Sequence, residues 1–203
     1  MTSGVVASAI VPHTPRMGVE ESAPDFVRPL IQGQRDLGEE LRALKPDVIV
    51  LQSSHWVSTF NWYVTVNKIH EGVCIADEAP DLIPGSPYKY DGDPEFGQAV
   101  VDALKGAGLA VGLMDSPHFK WDYASYVPLH YLDPEATIPV VLLPSVICSD
   151  LNENIRVGGL VHEAAVKEGK KVVYLGSCAL AHKVVRGPHL WPSQEHMDTD
   201  KKL

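Results

Sequence analysis

The stretch KPDVIVLQSSHW, residues 45–56, decides the fold class. Its apolar run Val48–Leu51 is continuous and does not alternate with polar residues. Such a run is typical of a parallel strand that is buried on both faces of a sheet. Pro46 ends the helical pattern before it, and Ser53 to His55 end the apolar run with polar side chains. The stretch therefore predicts a helix-to-strand unit of an α/β fold.

Working outward, three more apolar runs share this character: Val5–Val11, Val140–Leu143 and Val172–Leu175. Helical patterns alternate with the four runs: Phe26–Leu44, a helix that Asp93-Pro94 opens and Gly106 ends, and Asp150–Glu168. Strands that alternate with helices require right-handed crossovers and give a mostly parallel sheet. We expect one α/β domain over residues 1–203, with a mostly parallel central sheet flanked by helices.

Three local patterns complete this expectation. The first helix carries a leucine stripe at positions 30, 37, 41 and 44. The proline-rich stretch Glu78–Pro94 is interpreted as a long structured loop or lid. A last helix is predicted to begin near Ser193, which is a suitable N-cap residue.

Composition excludes several functions. The chain has 203 residues, 45% of them hydrophobic, and a net charge of -9 with no basic block, so a nucleic-acid partner is not expected. No apolar stretch approaches the roughly 20 residues that span a bilayer, and the first apolar run lacks the basic leader of a signal peptide. The three cysteines are far apart and odd in number, which disfavours disulfides and structural zinc. We expect a cytoplasmic protein.

Three histidines follow three of the predicted strands. His13 comes after Val5–Val11, His55 after Val48–Leu51, and His182 after Val172–Leu175. Open α/β sheets bind ligands beyond the carboxyl ends of their strands, so these side chains could converge on one ion or substrate. Imidazole suits iron, zinc, copper and nickel, and a histidine held off the metal could act as acid and base. The alternative is that each is an ordinary loop or core histidine.

Four segments in order, VPHTP, KPDVIVLQSSHW, FKWDYASYVPLHYL and VVYLGSCALAHK, resemble the class III extradiol dioxygenases of the protocatechuate 4,5-dioxygenase superfamily. The similarity is greatest to the catalytic subunits of the 2-aminophenol 1,6-dioxygenase branch, which have tyrosine at the position of Tyr123 where many relatives have histidine. The resemblance implies that His13 and His55 bind Fe(2+), that His182 is the catalytic acid and base, and that Tyr123 is catalytic and borders the substrate.

The resemblance also implies a third iron ligand, a glutamate well downstream of His182. The sequence ends before that position, and Glu195 does not match the motif. We therefore expect a chain that lacks the C-terminal part of the family, or else a degenerate subunit without catalytic activity. His130 and His118 are further candidates for substrate binding, although His130 could instead pack a strand. The remaining histidines, at positions 70, 162, 189 and 196, are expected on the surface.

The function that follows is Fe(II)-dependent cleavage of a catechol or 2-aminophenol ring by O2, in a homo- or hetero-oligomer with a related subunit. Two alternatives remain: a partner subunit without catalytic activity, and a zinc-dependent hydrolase that uses the same histidines. The sequence has no G-x-S-x-G elbow, GxGxxG motif or Walker loop. It therefore disfavours a serine or cysteine hydrolase and a nucleotide cofactor.

Overall fold

The computed structural model describes residues 3–179 and 192–202. The strands are β1 Gly4–Val11, β2 Val48–Ser58, β3 Trp62–Thr65, β4 Ile69–Cys74, β5 Ser86–Asp91, β6 Val111–Met114, β7 Val140–Val146 and β8 Lys171–Ser177. The helices are α1 Arg28–Ala43, α2 Pro94–Gly106, α3 Tyr123–Leu132, α4 Leu151–Lys167 and α5 Gln194–Asp200. The central sheet has the order β1-β8-β2-β7, and all its pairings are parallel. The predicted α/β class with a mostly parallel sheet is confirmed.

The central sheet has a hydrophobic core on each face. In β2, Ile49 and Leu51 belong to the core that also contains side chains of α1 and α3. Val48 and Val50, which point the other way, belong to the core that contains side chains of α2 and α4. Successive side chains of a strand point to opposite faces, so burial on both faces requires an uninterrupted apolar run. The run Val48–Leu51 is thus buried on both faces, as its interpretation as a parallel strand requires.

Side-chain caps fix the starts of three predicted helices. The Asp93 carboxylate accepts a hydrogen bond from the Phe96 amide at 3.0 Å, and Asp150 caps α4 in the same way. Ser193 caps α5 through the His196 amide at 3.4 Å. Each cap satisfies a backbone donor that the first turn of a helix leaves without a partner. The predicted helix starts at these positions are confirmed.

Two small sheets were not predicted. β3 pairs with β6 in parallel and β4 pairs with β5 antiparallel. The prediction of a loop over Glu78–Pro94 is therefore wrong in its second half, where β5 lies. Tyr88 and Tyr90 are buried there while Lys89 is exposed, which is the alternation of a half-buried strand. The run is short and contains a proline, so the pattern was masked.

The segment containing His130 is a helix and not a strand. In α3, every residue except His130 is buried, although Pro128 lies inside the helix. The helix packs against both α1 and β2, which leaves it no polar face. A helix buried on all sides has no amphipathic periodicity, and its apolar run is easily mistaken for a strand.

The predicted leucine stripe of α1 is confirmed in part, since Leu41 is buried and Leu37 packs against the core. Leu30 and Leu44 are 44% and 42% exposed. Besides Leu41, the buried face carries Ile31, Gln34 and Gly38, which the stripe did not include. A Cβ atom at Gly38 would lie 2.4 Å from the carbonyl oxygen of Leu132, so α1 and α3 are in direct backbone contact there. A glycine at the closest approach of two helices is invisible to a hydrophobicity pattern.

His70 was expected on the surface, and this is wrong. Its side chain is buried, and its Nε2 atom lies 3.1 Å from the carbonyl oxygen of Val140. The histidine thereby ties β4 to the edge strand β7 of the central sheet.

In the part of the chain that the structure describes, no helix is long and apolar enough to cross a membrane.

Replacement of Gly38 by alanine should destabilise the fold. We expect Gly38→Ala to lower the free energy of unfolding by about 1–3 kcal/mol, because the added methyl group overpacks the contact with Leu132. The matched control is Gly33→Ala in the same helix, where a Cβ atom meets nothing within 4 Å. There the better helix propensity of alanine should add up to about 1 kcal/mol. Urea unfolding of both variants measures the difference, and equal effects would contradict the close approach.

The burial of His70 should make stability depend on pH. Burial lowers the pKa of His70 to about 4, against the opposing hydrogen bond to Val140. The unfolded chain, with an ordinary pKa near 6.5, then binds the proton more readily, so stability falls as the pH drops from about 6.5 towards 4. Between pH 7.5 and 5, the free energy of unfolding should therefore fall by about 2 kcal/mol less in His70→Gln than in the wild-type protein. Parallel stability curves for the two proteins would contradict the assignment.

Candidate active site

His13 lies immediately beyond β1 and is 5% exposed. Its Nδ1 atom is 3.0 Å from the hydroxyl oxygen of Ser177, the last residue of β8. That hydroxyl donates its single hydrogen to the carbonyl oxygen of Ala124, so it can only accept from His13. The proton of the neutral imidazole is therefore held on Nδ1, and Nε2 carries the lone pair that a metal ion or an acid needs.

His55 lies in an irregular part of β2. Ser53 pairs with Pro144 of β7, but the next pair joins Val57 to Ser145. Residues 54–56 are thus inserted between two consecutive partners, as in a β-bulge. Bulges change the direction of side chains and are common beside active sites. Here the bulge places the His55 ring at the carboxyl end of the sheet.

The hydroxyl of Ser53 holds this bulge. Its oxygen accepts hydrogen bonds from the amides of His55 and Trp56, at 3.1 and 3.2 Å. Its hydrogen is donated to the carboxylate of Asp122, with both carboxylate oxygens at 2.9 Å. Asp122 is also the N-cap of α3, where it accepts from the Ser125 amide at 2.9 Å. One buried hydroxyl therefore joins the backbone of the bulge to the start of α3.

Tyr123, the first residue of α3, meets both histidines. Its ring centroid lies 4.2 Å from that of His55 and 5.8 Å from that of His13. The two imidazole centroids are 5.1 Å apart and nearly perpendicular. Two imidazoles that bind one ion at about 2.1 Å have centroids about 4.6–5.3 Å apart for bond angles between about 90° and 110°. The spacing of His13 and His55 fits one shared metal ion.

The electrostatics of the site keep Tyr123 protonated. Burial raises the pKa of Tyr123 to about 12, and the negative charges of Glu78 and Asp122 act in the same direction. Burial also raises the pKa of Asp122, although the hydrogen bonds from Ser53 and Ser125 oppose this. A tyrosine with such a pKa keeps its O–H at neutral pH and can donate a hydrogen bond to a substrate oxygen.

The structure does not bring every predicted residue to this place. His118 is exposed in the loop between β6 and α3. His130 is exposed in the last turn of α3, seven residues and therefore about 10 Å along the helix axis from Tyr123, with its ring against Tyr126. His182 lies outside the described residues. Glu195 is exposed in α5. Within residues 3–179 and 192–202, no three His, Cys, Asp or Glu side chains are grouped to hold a metal ion.

Four residues of the site were not predicted in these roles: Ser53, Ser177, Asp122 and Glu78. In the sequence, the two serines are polar residues after apolar runs, and no nucleophile motif surrounds them. Their partners are distant in the chain, since 69 residues separate Ser53 from Asp122 and 164 separate His13 from Ser177. The only available signal was a polar side chain directly at the end of a buried strand.

A protein-family description, "Catalytic LigB subunit of aromatic ring-opening dioxygenase", matches residues 7–199. The chain is 26% identical over 157 residues to 3,4-dihydroxyphenylacetate 2,3-dioxygenase of Escherichia coli, covering 76% of this chain and 56% of that protein. It is 29% identical over 193 residues to the 2-aminophenol 1,6-dioxygenase beta subunit of a Pseudomonas species, covering 88% and 63%. The chain thus spans between about half and two thirds of the length of these relatives.

A solved structure shares the fold. An uncharacterized protein from Escherichia coli K12 superposes with a TM-score of 0.52 at 23% sequence identity. The match covers 72% of this chain and 51% of that one. Similarity at this level supports the chain fold and carries no information about activity.

Removal of the Ser53 hydroxyl should be costly. We expect Ser53→Ala to lower the free energy of unfolding by about 2–3 kcal/mol, because it leaves the Asp122 carboxylate and two amides of the bulge without their partner. The control is Ser145→Ala on the adjacent strand, which loses one hydrogen bond to the Ser53 carbonyl and should cost about 1 kcal/mol. Chemical unfolding measures both. Equal losses would show that the Ser53 hydroxyl does not organise the bulge.

Proposed function

The chain belongs to the LigB family of aromatic ring-opening dioxygenases, and on this premise we propose that it is an Fe(II)-dependent extradiol dioxygenase. Its substrate would be a catechol or a 2-aminophenol, cleaved with O2 beside the two ring heteroatoms. The observation that carries the proposal is the 5.1 Å approach of the His13 and His55 rings, with the proton of His13 fixed on Nδ1 by Ser177. Two neutral imidazoles placed in this way suit a ferrous ion.

His13 and His55 are the residues that would hold the metal. A ferrous ion bound there would supply coordination positions for the two ortho heteroatoms of the substrate and for O2. His13 would bind through Nε2, since its Nδ1 hydrogen is engaged by Ser177. In His55, Nδ1 faces Glu78 at 3.9 Å, which leaves Nε2 as the nitrogen turned away from that carboxylate.

The surrounding side chains would bind and orient the ring. Tyr123 keeps its hydroxyl hydrogen and could donate it to a substrate oxygen. Trp56 and Phe119, whose ring centroids are 4.6 Å apart, provide apolar surface beside the bulge. His182, which the family resemblance assigns as acid and base, would take a proton from the substrate hydroxyl or amine and return one later. Its imidazole needs little adjustment of pKa for that role.

The names of relatives support an oligomer. The chain is similar to the beta subunit and, at 23% identity, to the alpha subunit of a 2-aminophenol 1,6-dioxygenase. We propose that it assembles with a second copy or with a related subunit.

All three cysteines are free, which supports a reducing, cytoplasmic environment.

A second candidate is a related subunit without catalytic activity. The observation that favours it is the lack, within the described residues, of a carboxylate grouped with His13 and His55 as a third ligand. Without that carboxylate, two neutral imidazoles leave the charge of a divalent cation uncompensated. The two candidates differ in whether the chain retains iron.

Metal analysis and turnover of histidine variants distinguish the candidates. After anaerobic loading with ferrous ion, His13→Ala and His55→Ala should lose stoichiometric iron. His182→Ala should retain iron and lose about 10²–10⁴-fold in turnover with catechol or 2-aminophenol, the usual contribution of proton transfer. Oxygen uptake and metal content are the two measurements.

The control is His162→Asn on α4, where the side chain can still accept a hydrogen bond from the Val5 amide. It should keep both iron and turnover. Iron retained in His13→Ala would contradict the assigned ligand. A wild-type chain that holds no iron and consumes no oxygen would favour the subunit without catalytic activity.

A further inference from the structure

The loop between β4 and β5, residues 75–85, is anchored beside the candidate active site. Ala76 and Ile83 are fully buried, and the Ala76 amide donates to the Ile83 carbonyl at 3.3 Å. Ile83 packs directly on Gly18, where a Cβ atom would lie 2.2 Å from its side chain. Gly18 ends the short helical turn that begins two residues after His13. The loop is thus fixed against the segment that carries a candidate metal ligand.

Glu78 is the residue of this loop that faces the site. Its Oε1 atom lies 3.9 Å from His55 Nδ1, and its negative charge acts on the hydroxyl of Tyr123. The side chain is 58% exposed, so it borders both the site and the solvent. Because the Tyr123 hydroxyl could donate to a bound substrate, Glu78 lies within electrostatic reach of the substrate ring and its substituents.

Within residues 3–179 and 192–202, no lysine or arginine forms an ion pair with Glu78. Asp77 and Asp81 are in the same loop, and residues 75–85 contain neither lysine nor arginine. Among the ion pairs of the described residues, Glu78 is paired only with His55. By contrast, Glu20 and Glu71 are neutralised by Arg35 and Lys89. A substrate bound beside Glu78 would meet the negative charge of this carboxylate.

We propose that Glu78 makes the site selective for aromatic substrates whose ring substituent is cationic or neutral, and that it discriminates against anionic substituents. This inference rests on the proposed ring-cleavage function and names the substrate class. Two unit charges about 6 Å apart, at a partly hydrated protein surface, change affinity roughly tenfold. The net charge of the chain acts in the same direction, but solvent screens it at longer range.

Three catechols of similar size and different charge test the proposal. They carry a 2-aminoethyl, an ethyl or a 2-carboxyethyl group at ring position 4. At low salt the cationic compound should bind about tenfold tighter than the neutral one, and the anionic compound about tenfold weaker. Anaerobic calorimetry gives dissociation constants, and oxygen uptake gives kcat/KM. In Glu78→Gln the dissociation constants of the three compounds should agree within about threefold, and the remaining difference would come from charges at longer range.

The matched control is Glu163→Gln on α4, which removes an equal charge from an exposed position on the helix that covers the other face of the sheet. It should keep the ranking of the wild-type protein. A wild-type protein without the ranking, or a ranking that persists in Glu78→Gln, would overturn the proposal. Loss of bound iron in Glu78→Gln would also overturn it, since Glu78 would then act on the metal.

Calorimetry and oxygen uptake together distinguish a failure of this inference from a failure of the proposed ring-cleavage function. Binding that follows the charge series without oxygen uptake would reject the ring-cleavage function and retain the role of Glu78. Turnover of all three catechols at equal kcat/KM would retain the function and reject the selectivity.

Discussion

The site depends on one buried hydroxyl, that of Ser53. It accepts from the amides of His55 and Trp56 and donates to the Asp122 carboxylate, so it links the bulge of β2 to the N-terminus of α3. A buried donor or acceptor without a partner is costly, and here one side chain satisfies groups on two elements. The 4.2 Å spacing between the rings of His55 and Tyr123 follows from that link.

The order of the strands provides the second constraint. β8 lies between β1 and β2, so its last residue, Ser177, ends between the segments that carry His13 and His55. Parallel strands bring all three carboxyl ends to one edge of the sheet. The serine then sets the tautomer of His13, and the geometry of the strands sets the distance to His55. The strand order thus positions a candidate ligand and also the serine that sets its tautomer.

The charges around the site complement this arrangement. Asp122 directly precedes Tyr123 and is satisfied by hydrogen bonds. Glu78 lies at the solvent border, and in the described part of the chain no lysine or arginine pairs with it. Both charges favour the neutral phenol of Tyr123 over the phenolate. The chain belongs to the LigB family and covers 56% and 63% of the length of two relatives, so ring opening is the proposed chemistry of this geometry. In the proposed selectivity, discrimination among ring substituents would depend on Glu78 in the loop of residues 75–85.

The sequence by itself determined the elements whose signal is local. Apolar runs identified the four central strands. In β2, β7 and β8 they reflect burial on both faces, whereas the edge strand β1 leaves Ser8 and Ile10 exposed. Asp93, Asp150 and Ser193 marked helix starts by their capping chemistry. Only the tertiary structure decided the rest. The phase of α1, the burial of His70 and the long-range partners of Ser53 and Ser177 depend on groups from 53 to 164 residues away in the chain, and no local pattern encodes such distances.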